Sequence, residues 1–240
     1  MKKILFIALL FSNLVFSQNI DFEGFMNFSY SNNSGKIHLE INNLDKEFLY
    51  INSLSRGIGN NDLGLDRGQL GNTRIVFFTK RGNKILMVQP NTRYVSNSDN
   101  YLENKAVEEA FARSVLFSFE IIEEKNNNYI IDLTPLLMND AHGVAQRLKY
   151  SNSGNYSLNK SMSAIELDRT KAFPENIEFD VILTFTGNPM GNLVRSVTPT
   201  PSNITVNQHH SFVKLPDNNY KKRKFDPRSG SNPFIVYDYS

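Results

Sequence analysis

The sequence predicts an α+β fold: mostly antiparallel β-sheet, one main helix at about residues 100–117 and a short second helix at about 134–139. Three observations carry this. Apolar and polar residues alternate in several runs, turn clusters rich in Gly and Asn separate those runs, and only one long stretch has helical spacing.

Residues 24–30 alternate aromatic and polar positions, and 31–35 form a turn cluster. Residues 36–41 alternate cleanly, with Ile37, Leu39 and Ile41 on one face. Residues 48–54 make a third strand. Residues 55–71 hold five glycines without periodicity and read as a loop. Two β-rich runs, 74–79 and 84–89, flank Lys80-Arg81-Gly82-Asn83, a hairpin signal. The main helix opens at Asn100, an N-cap residue with Glu103 three positions on. Leu102, Ala106, Val107, Ala110, Phe111 and Val115 then recur at helical spacing, and Glu109 and Arg113 stand as an i,i+4 pair. Strands follow at 117–122 and 129–132 across the turn at 126–128. Thr134-Pro135 starts the second helix, because proline suits the first helical position. Residues 139–162 are polar and poorly periodic, and 151–163 read as a long loop. Strands resume at 165–167, 177–185 and 204–215, with Ile177, Phe179, Val181 and Leu183 on one face.

The formal charge of +2 comes from 26 basic against 24 acidic residues. Lys2 and Lys3 supply that excess, and without residues 1–17 the charge is balanced. A balanced charge gives no electrostatic case for nucleic-acid binding. The absence of cysteine excludes disulfides, Cys-ligated zinc, Fe–S clusters and thiol catalysis. Residues 1–17 read as a secretory signal: a lysine start, an apolar stretch from 4 to 16, and Ser17 at the cleavage point. That stretch is shorter than the roughly 20 residues that span a bilayer, and no later segment approaches that length. The expectation is an exported protein, periplasmic or extracellular, with residues 18–240 as the mature domain and no transmembrane segment.

The candidate chemistry is sparse. His38, His142, His209 and His210 do not form an H-E-x-x-H pair. His209 and His210 are adjacent, so in a strand they point to opposite faces. All four read as structural or surface residues. Residues 57–62 begin like a phosphate loop but lack its third glycine, and Asn60, Asp62 and Asp66 miss the spacing of a calcium loop. Lys221-Lys222-Arg223-Lys224 reads as a solvated basic run. No G-x-S-x-G elbow is present, and Glu123-Glu124 cannot be set across a substrate from sequence. No catalytic, cofactor-binding or metal residue is assigned.

Several phrases nevertheless form a pattern. They are Ala172-Phe173-Pro174-Glu175-Asn176 running into FDVILTFTG at 179–187, His210-Ser211-Phe212 before Leu215-Pro216, and Phe225-Asp226-Pro227-Arg228-Ser229-Gly230. Glu47-Phe48-Leu49, Ser53-Leu54-Ser55-Arg56-Gly57 and Ile131-Asp132-Leu133-Thr134 complete it. In order and spacing they resemble the domain of unknown function at the N-terminus of secreted bacterial zinc-dependent metalloproteases, over roughly residues 24–240. In that family a metzincin-type H-E-x-x-H catalytic domain follows. The resemblance implies a non-catalytic accessory, folding or cleft-shaping region, truncated at its C-terminal edge. Its partner would be a catalytic domain normally in the same polypeptide, and zinc is expected only there, with no cofactor in this chain. An exposed apolar patch is then expected near residues 234–239. The alternative is a free-standing exported β-rich module binding a cell-surface protein or glycan, suggested by Phe25, Phe28, Tyr30, Phe48 and Tyr50. The plainer expectation for those rings is that they fill the core.

Overall fold

The structure is a computed structural model that describes residues 19–217, 219, 221, 226–230 and 235–240. The leader at 1–17, residues 222–224 of the basic run, Phe225 and Phe234 lie outside the described residues. The first half of the chain forms β1 (Asn19–Phe22), β2 (Phe28–Ser31), β3 (Lys36–Ile41), β4 (Phe48–Arg56), β5 (Leu70–Arg81), β6 (Lys84–Gln89), β7 (Tyr94–Val95) and α1 (Tyr101–Ala110). The second half forms β8 (Ser114–Lys125), β9 (Asn128–Asp132), α2 (Thr134–Leu137), α3 (Val144–Tyr150), β10 (Gly154–Ile165), β11 (Lys171–Ala172), β12 (Asn176–Pro189), β13 (Asn203–Lys214) and β14 (Tyr237–Asp238). The class is α+β, dominated by antiparallel sheet.

Twelve strands form one sheet in the order β1-β2-β3-β9-β8-β6-β5-β4-β13-β12-β10, with β11 paired beside β12. Pairing within it is antiparallel throughout the described residues. Strand twist accumulates over so many strands that an open sheet curls on itself. Here the curl brings distant strands face to face. Phe28 of β2 meets Phe179 of β12 with ring centroids 4.8 Å apart, and the Phe25 amide donates to the Phe173 carbonyl at 2.8 Å. The core lies inside this fold. Ile37, Leu39 and Ile41 enter it from β3, and Ile177, Phe179, Val181 and Leu183 from β12, all at most 2% exposed. Phe48, Phe78 and Phe212 pack at the centre. Each such side chain contributes roughly 1.5–3 kcal/mol by leaving water, so core burial carries the stability of a chain that has no disulfides. Among the aromatic residues singled out above, Phe28, Phe48 and Tyr50 are buried, and Phe25 and Tyr30 pack partly buried against them.

Several local expectations are corrected. Residues 24–30 are not one strand, because a bend at 24–26 separates β1 from β2. The main helix stops at Ala110 rather than running to 117. Phe111 adopts extended geometry, and Ser114 and Val115 instead pair with Gln89 and Val88 of β6. Sheet pairing thus outweighs helical spacing, and Val115 ends 56% exposed in a strand. The N-cap is as expected: the Asn100 side chain accepts from the Leu102 amide at 3.0 Å and donates to Glu103 at 3.1 Å. With Arg113 outside the helix, its ion pair is with Glu108 at 4.0 Å, and Glu109 pairs with Lys105.

Residues 151–163, expected to be a loop, are mostly β10, which lies at the edge of the sheet and bonds β12 through its backbone. Ser and Asn suit an edge strand whose side chains stay in water. The polar stretch before it contains α3, a third helix. Asp140 caps it, its carboxylate accepting from the Val144 and Ala145 amides at 2.7 and 3.0 Å, and Val144 and Leu148 are its buried stripe. Two buried positions in seven residues are too few to give a period. The residue 55–71 loop is ordered by packing: Ile58, Leu63 and Leu65 are buried, and Asn60 caps a 3-10 turn at Asn61–Leu63. Among the described residues no helix is long and apolar enough to cross a membrane.

Candidate functional site

Strands β12 and β13 carry apolar side chains inward, so alternation sends Glu178 and Asp180 of β12 and Asn207, His209 and Ser211 of β13 outward. Register then decides who meets whom. Asp180 lies opposite His209, Glu178 opposite Ser211, and on the other side of β13 His209 lies opposite Ser53 of β4. The result is a charged cluster on the outward side of β12 and β13. His209 Nε2 is 2.7 Å from Glu178 and its Nδ1 is 3.2 Å from Asp180. Asp180 is fully buried and also accepts from Asn207 at 2.9 Å and Arg169 at 3.3 Å. Glu178 accepts from Ser211 and Asn176, both at 2.5 Å.

The electrostatics follow from these contacts. Bonds to Asp180 and Glu178 raise the His209 pKa to about 9, against the opposing effect of burial. Burial pushes both carboxyls up, but the donors around them outweigh it and hold them below their usual range; His209 is foremost for each. His209 is therefore an imidazolium at neutral pH with both N–H groups engaged. It has no free lone pair to act as a general base or to bind a metal. Ser211 donates to a carboxylate rather than to an imidazole, so it is not an activated nucleophile.

The inward face of the same strands is also polar, and uncharged. His210 is fully buried, with Nδ1 2.8 Å from the Tyr50 hydroxyl and Nε2 2.9 Å from the Gln208 amide nitrogen. The Gln208 amide donates to His210 Nε2 and to the Asn139 carbonyl, which leaves Nδ1 with the ring proton, and its oxygen accepts from the His142 amide. Burial lowers the His210 pKa to about 4 and raises that of Tyr50, so both are neutral. Burial also lowers the His142 pKa, with Arg147 adding to the effect. Asn52 and both ring nitrogens of His142 are buried without a hydrogen-bond partner among the described residues.

The four histidines do not converge. His38 is on β3, His142 precedes α3, and His209 and His210 take opposite faces of β13, as their adjacency requires. Among the described residues no group of three or more His, Cys, Asp or Glu side chains could hold a metal. Residues 57–62 belong to the packed loop. Glu124 pairs with Lys80 at 2.6 Å. In the Asp226–Gly230 phrase, Asp226 accepts from Arg228 through its backbone and guanidinium at 2.7–3.0 Å, which closes a turn. The cluster of Glu178, Asp180 and His209 was not singled out from sequence. The available signal was two acids at i,i+2 on the polar face of a strongly apolar strand.

Four of the phrases quoted above fold close together: Glu47-Phe48-Leu49 and Ser53–Gly57 lie in or beside β4, residues 172–187 include most of β12, and His210-Ser211-Phe212 is in β13. These three strands are neighbours. Ile131–Thr134 joins β9 to α2.

No curated protein and no solved structure matches the chain. Residues 68–240 match the family described as Domain of unknown function (DUF5117), a span that includes β12, β13, Arg169 and the whole charged cluster. With well over half of the chain matched, the protein belongs to that family.

Proposed function

We propose that this domain is the non-catalytic accessory region of an exported zinc-dependent metallopeptidase, and that it packs against the catalytic domain. The observation that carries this reading is the corner made by α1, β7 and β14. The tail runs parallel to β7 through Tyr237 and Tyr94, and Tyr94 stacks between Tyr237 and Phe111 at 5.2 and 4.1 Å. Arg93 lies over the Tyr237 ring at 5.4 Å. Yet Ile235, Val236, Tyr237 and Tyr239 are each 43–58% exposed, and α1 has no buried residue, with Tyr101 and Leu102 about 70% exposed. An ordered tail edged by aliphatic and aromatic groups in water is suited to burial against another surface. The order of the phrases at 47–57, 131–134, 172–187 and 210–230 supports the metallopeptidase context. In this reading zinc and the hydrolytic residues belong to the catalytic domain.

Separately produced catalytic domain and residues 18–240 should co-elute from a sizing column. The pair Val236→Asp and Tyr239→Asp should separate them without altering the far-UV spectrum of the accessory domain. Failure to co-elute, or co-elution indifferent to both substitutions, would sink this reading. So would chelator-sensitive proteolysis by residues 18–240 alone.

A further inference from the structure

Above the charged cluster lies an open groove of about 290 Å³. Its floor is Ser53, Ser55 and His209; one wall is Arg67 and Gly68 of the residue 55–71 loop, and the other is Arg169 of the 3-10 turn Leu167–Arg169. The loop wall is held to β4 by the backbone: the Gly68 amide donates to the Leu54 carbonyl at 2.7 Å, and the Leu54 amide to the Gln69 carbonyl at 3.0 Å. The opposite wall is held by the Arg169 bond to Asp180.

The distribution of charge across this groove is uneven. The acids lie beneath it: Asp180 is fully buried, and the Glu178 side chain is 16% exposed. The cations reach the surface. The Arg169 side chain is 44% exposed and that of His209 24%, while Arg67 is exposed and makes no hydrogen bond or ion pair among the described residues. No carboxylate is among the described residues that line the groove. Two guanidinium groups and the Ser53 hydroxyl, beside the imidazolium, are the donors that an oxyanion needs. His209 contributes charge rather than a hydrogen bond, because both its N–H groups are taken. Ser53 and the two arginines supply the donors, because the Ser55 hydroxyl is turned to the Asn207 carbonyl. The two carboxylates beneath offset the imidazolium, so the positive charge that faces the groove comes from Arg67 and Arg169.

The geometry points to a binding groove for a small oxyanion, a phosphate-type or carboxylate group, clamped between Arg67 and Arg169 over His209. This inference is independent of the docking corner, which lies on β7, α1 and β14.

The test titrates inorganic phosphate, and separately acetate, into residues 18–240 near neutral pH at constant ionic strength, with the imidazole resonances followed by NMR. The expected result is a saturable shift at His209 and none at His38, His142 or His210. Arg67→Ala should weaken binding about tenfold or more through loss of charge-assisted bonds. Arg67 is on an exposed loop without partners, so the variant should keep the wild-type spectrum elsewhere. Arg169→Gln should weaken binding similarly, and its fold can be checked by the unchanged His210 resonance. A stronger response to phosphate assigns a tetrahedral anion, and an equal response to acetate assigns a carboxylate. No saturable shift at His209 with either anion, or equal binding by Arg67→Ala, overturns the inference.

Discussion

His209 and His210 are consecutive in one strand, yet they are chemical opposites. On the outer face His209 meets two carboxylates and is held as a cation, with its pKa raised to about 9. On the inner face His210 meets a phenol and an amide and is held neutral, with its pKa lowered to about 4. Both are hydrogen-bonded at both ring nitrogens. The difference lies in the partners and in access to water: a charge is tolerated near the surface when opposite charge is adjacent, whereas the interior penalises it. One face of β13 can therefore carry an ionic site while the other completes the core.

The largest expected effect comes from breaking the outer face at its buried acid. Asp180→Ala leaves His209 and Arg169 without their shared carboxylate and opens a polar hole, and should cost about 3–5 kcal/mol in urea unfolding. A loss below 1 kcal/mol would mean that the outer cluster is only a solvated ion pair. The inner face should be nearly as sensitive. His210→Phe keeps a ring but strands the Tyr50 hydroxyl and the Gln208 amide, at about 2–3 kcal/mol. If this variant is as stable as the parent, the inner network is dispensable.

The two histidines should also respond to pH with opposite signs. The folded pKa of His209 is raised above an unfolded value near 6.5. Its stabilisation is thus complete below about pH 6.5 and is lost as pH rises toward 9. The folded pKa of His210 is depressed, so its contribution is lost as pH falls from about 6.5 toward 4, when the unfolded chain takes up the proton. Asp180 and Glu178, also depressed, lose theirs as pH falls through their folded values. Urea midpoints across this range should fall on both sides. His209→Gln should flatten the alkaline side and ease the acid-side loss that belongs to Glu178 and Asp180, while the fall between about pH 6.5 and 4 that belongs to His210 stays; a variant that lost this fall as well would break the comparison. The smallest effect belongs to the solvated end of the strand. Lys214, half exposed, faces Glu175 at 3.7 Å, and Lys214→Ala should change stability by no more than about 0.5 kcal/mol.

Legibility followed how local each signal was. Residues 36–41 and 177–183 were readable because alternation over six or more residues has one physical meaning, a strand buried on one side. The opposite orientations of His209 and His210 needed only their adjacency. Helical spacing through Val115 was also local, but the β6 edge claimed Ser114 and Val115 for sheet. β10 was hidden because an edge strand can keep Ser and Asn in water while its backbone is paired, and α3 because its buried stripe is two residues. The exposed end at Ile235–Tyr239 lay where the phrases had placed it, although Tyr237 is also anchored on β7.

By itself the sequence determined the class of fold, most strand positions, the shared face of Ile177, Phe179, Val181 and Leu183, and the opposite orientations of His209 and His210. These depend on periods of two and on turn chemistry within a few residues. Only the tertiary structure decided that His209 stands between Glu178 and Asp180, 31 and 29 residues away, and that Arg67 and Arg169 line the same groove. Register between strands and the path of loops are set by the packing of the whole core, and a pKa depends on the neighbours that packing supplies. The acids and the histidine were visible as residues, but their meeting was a property of the fold.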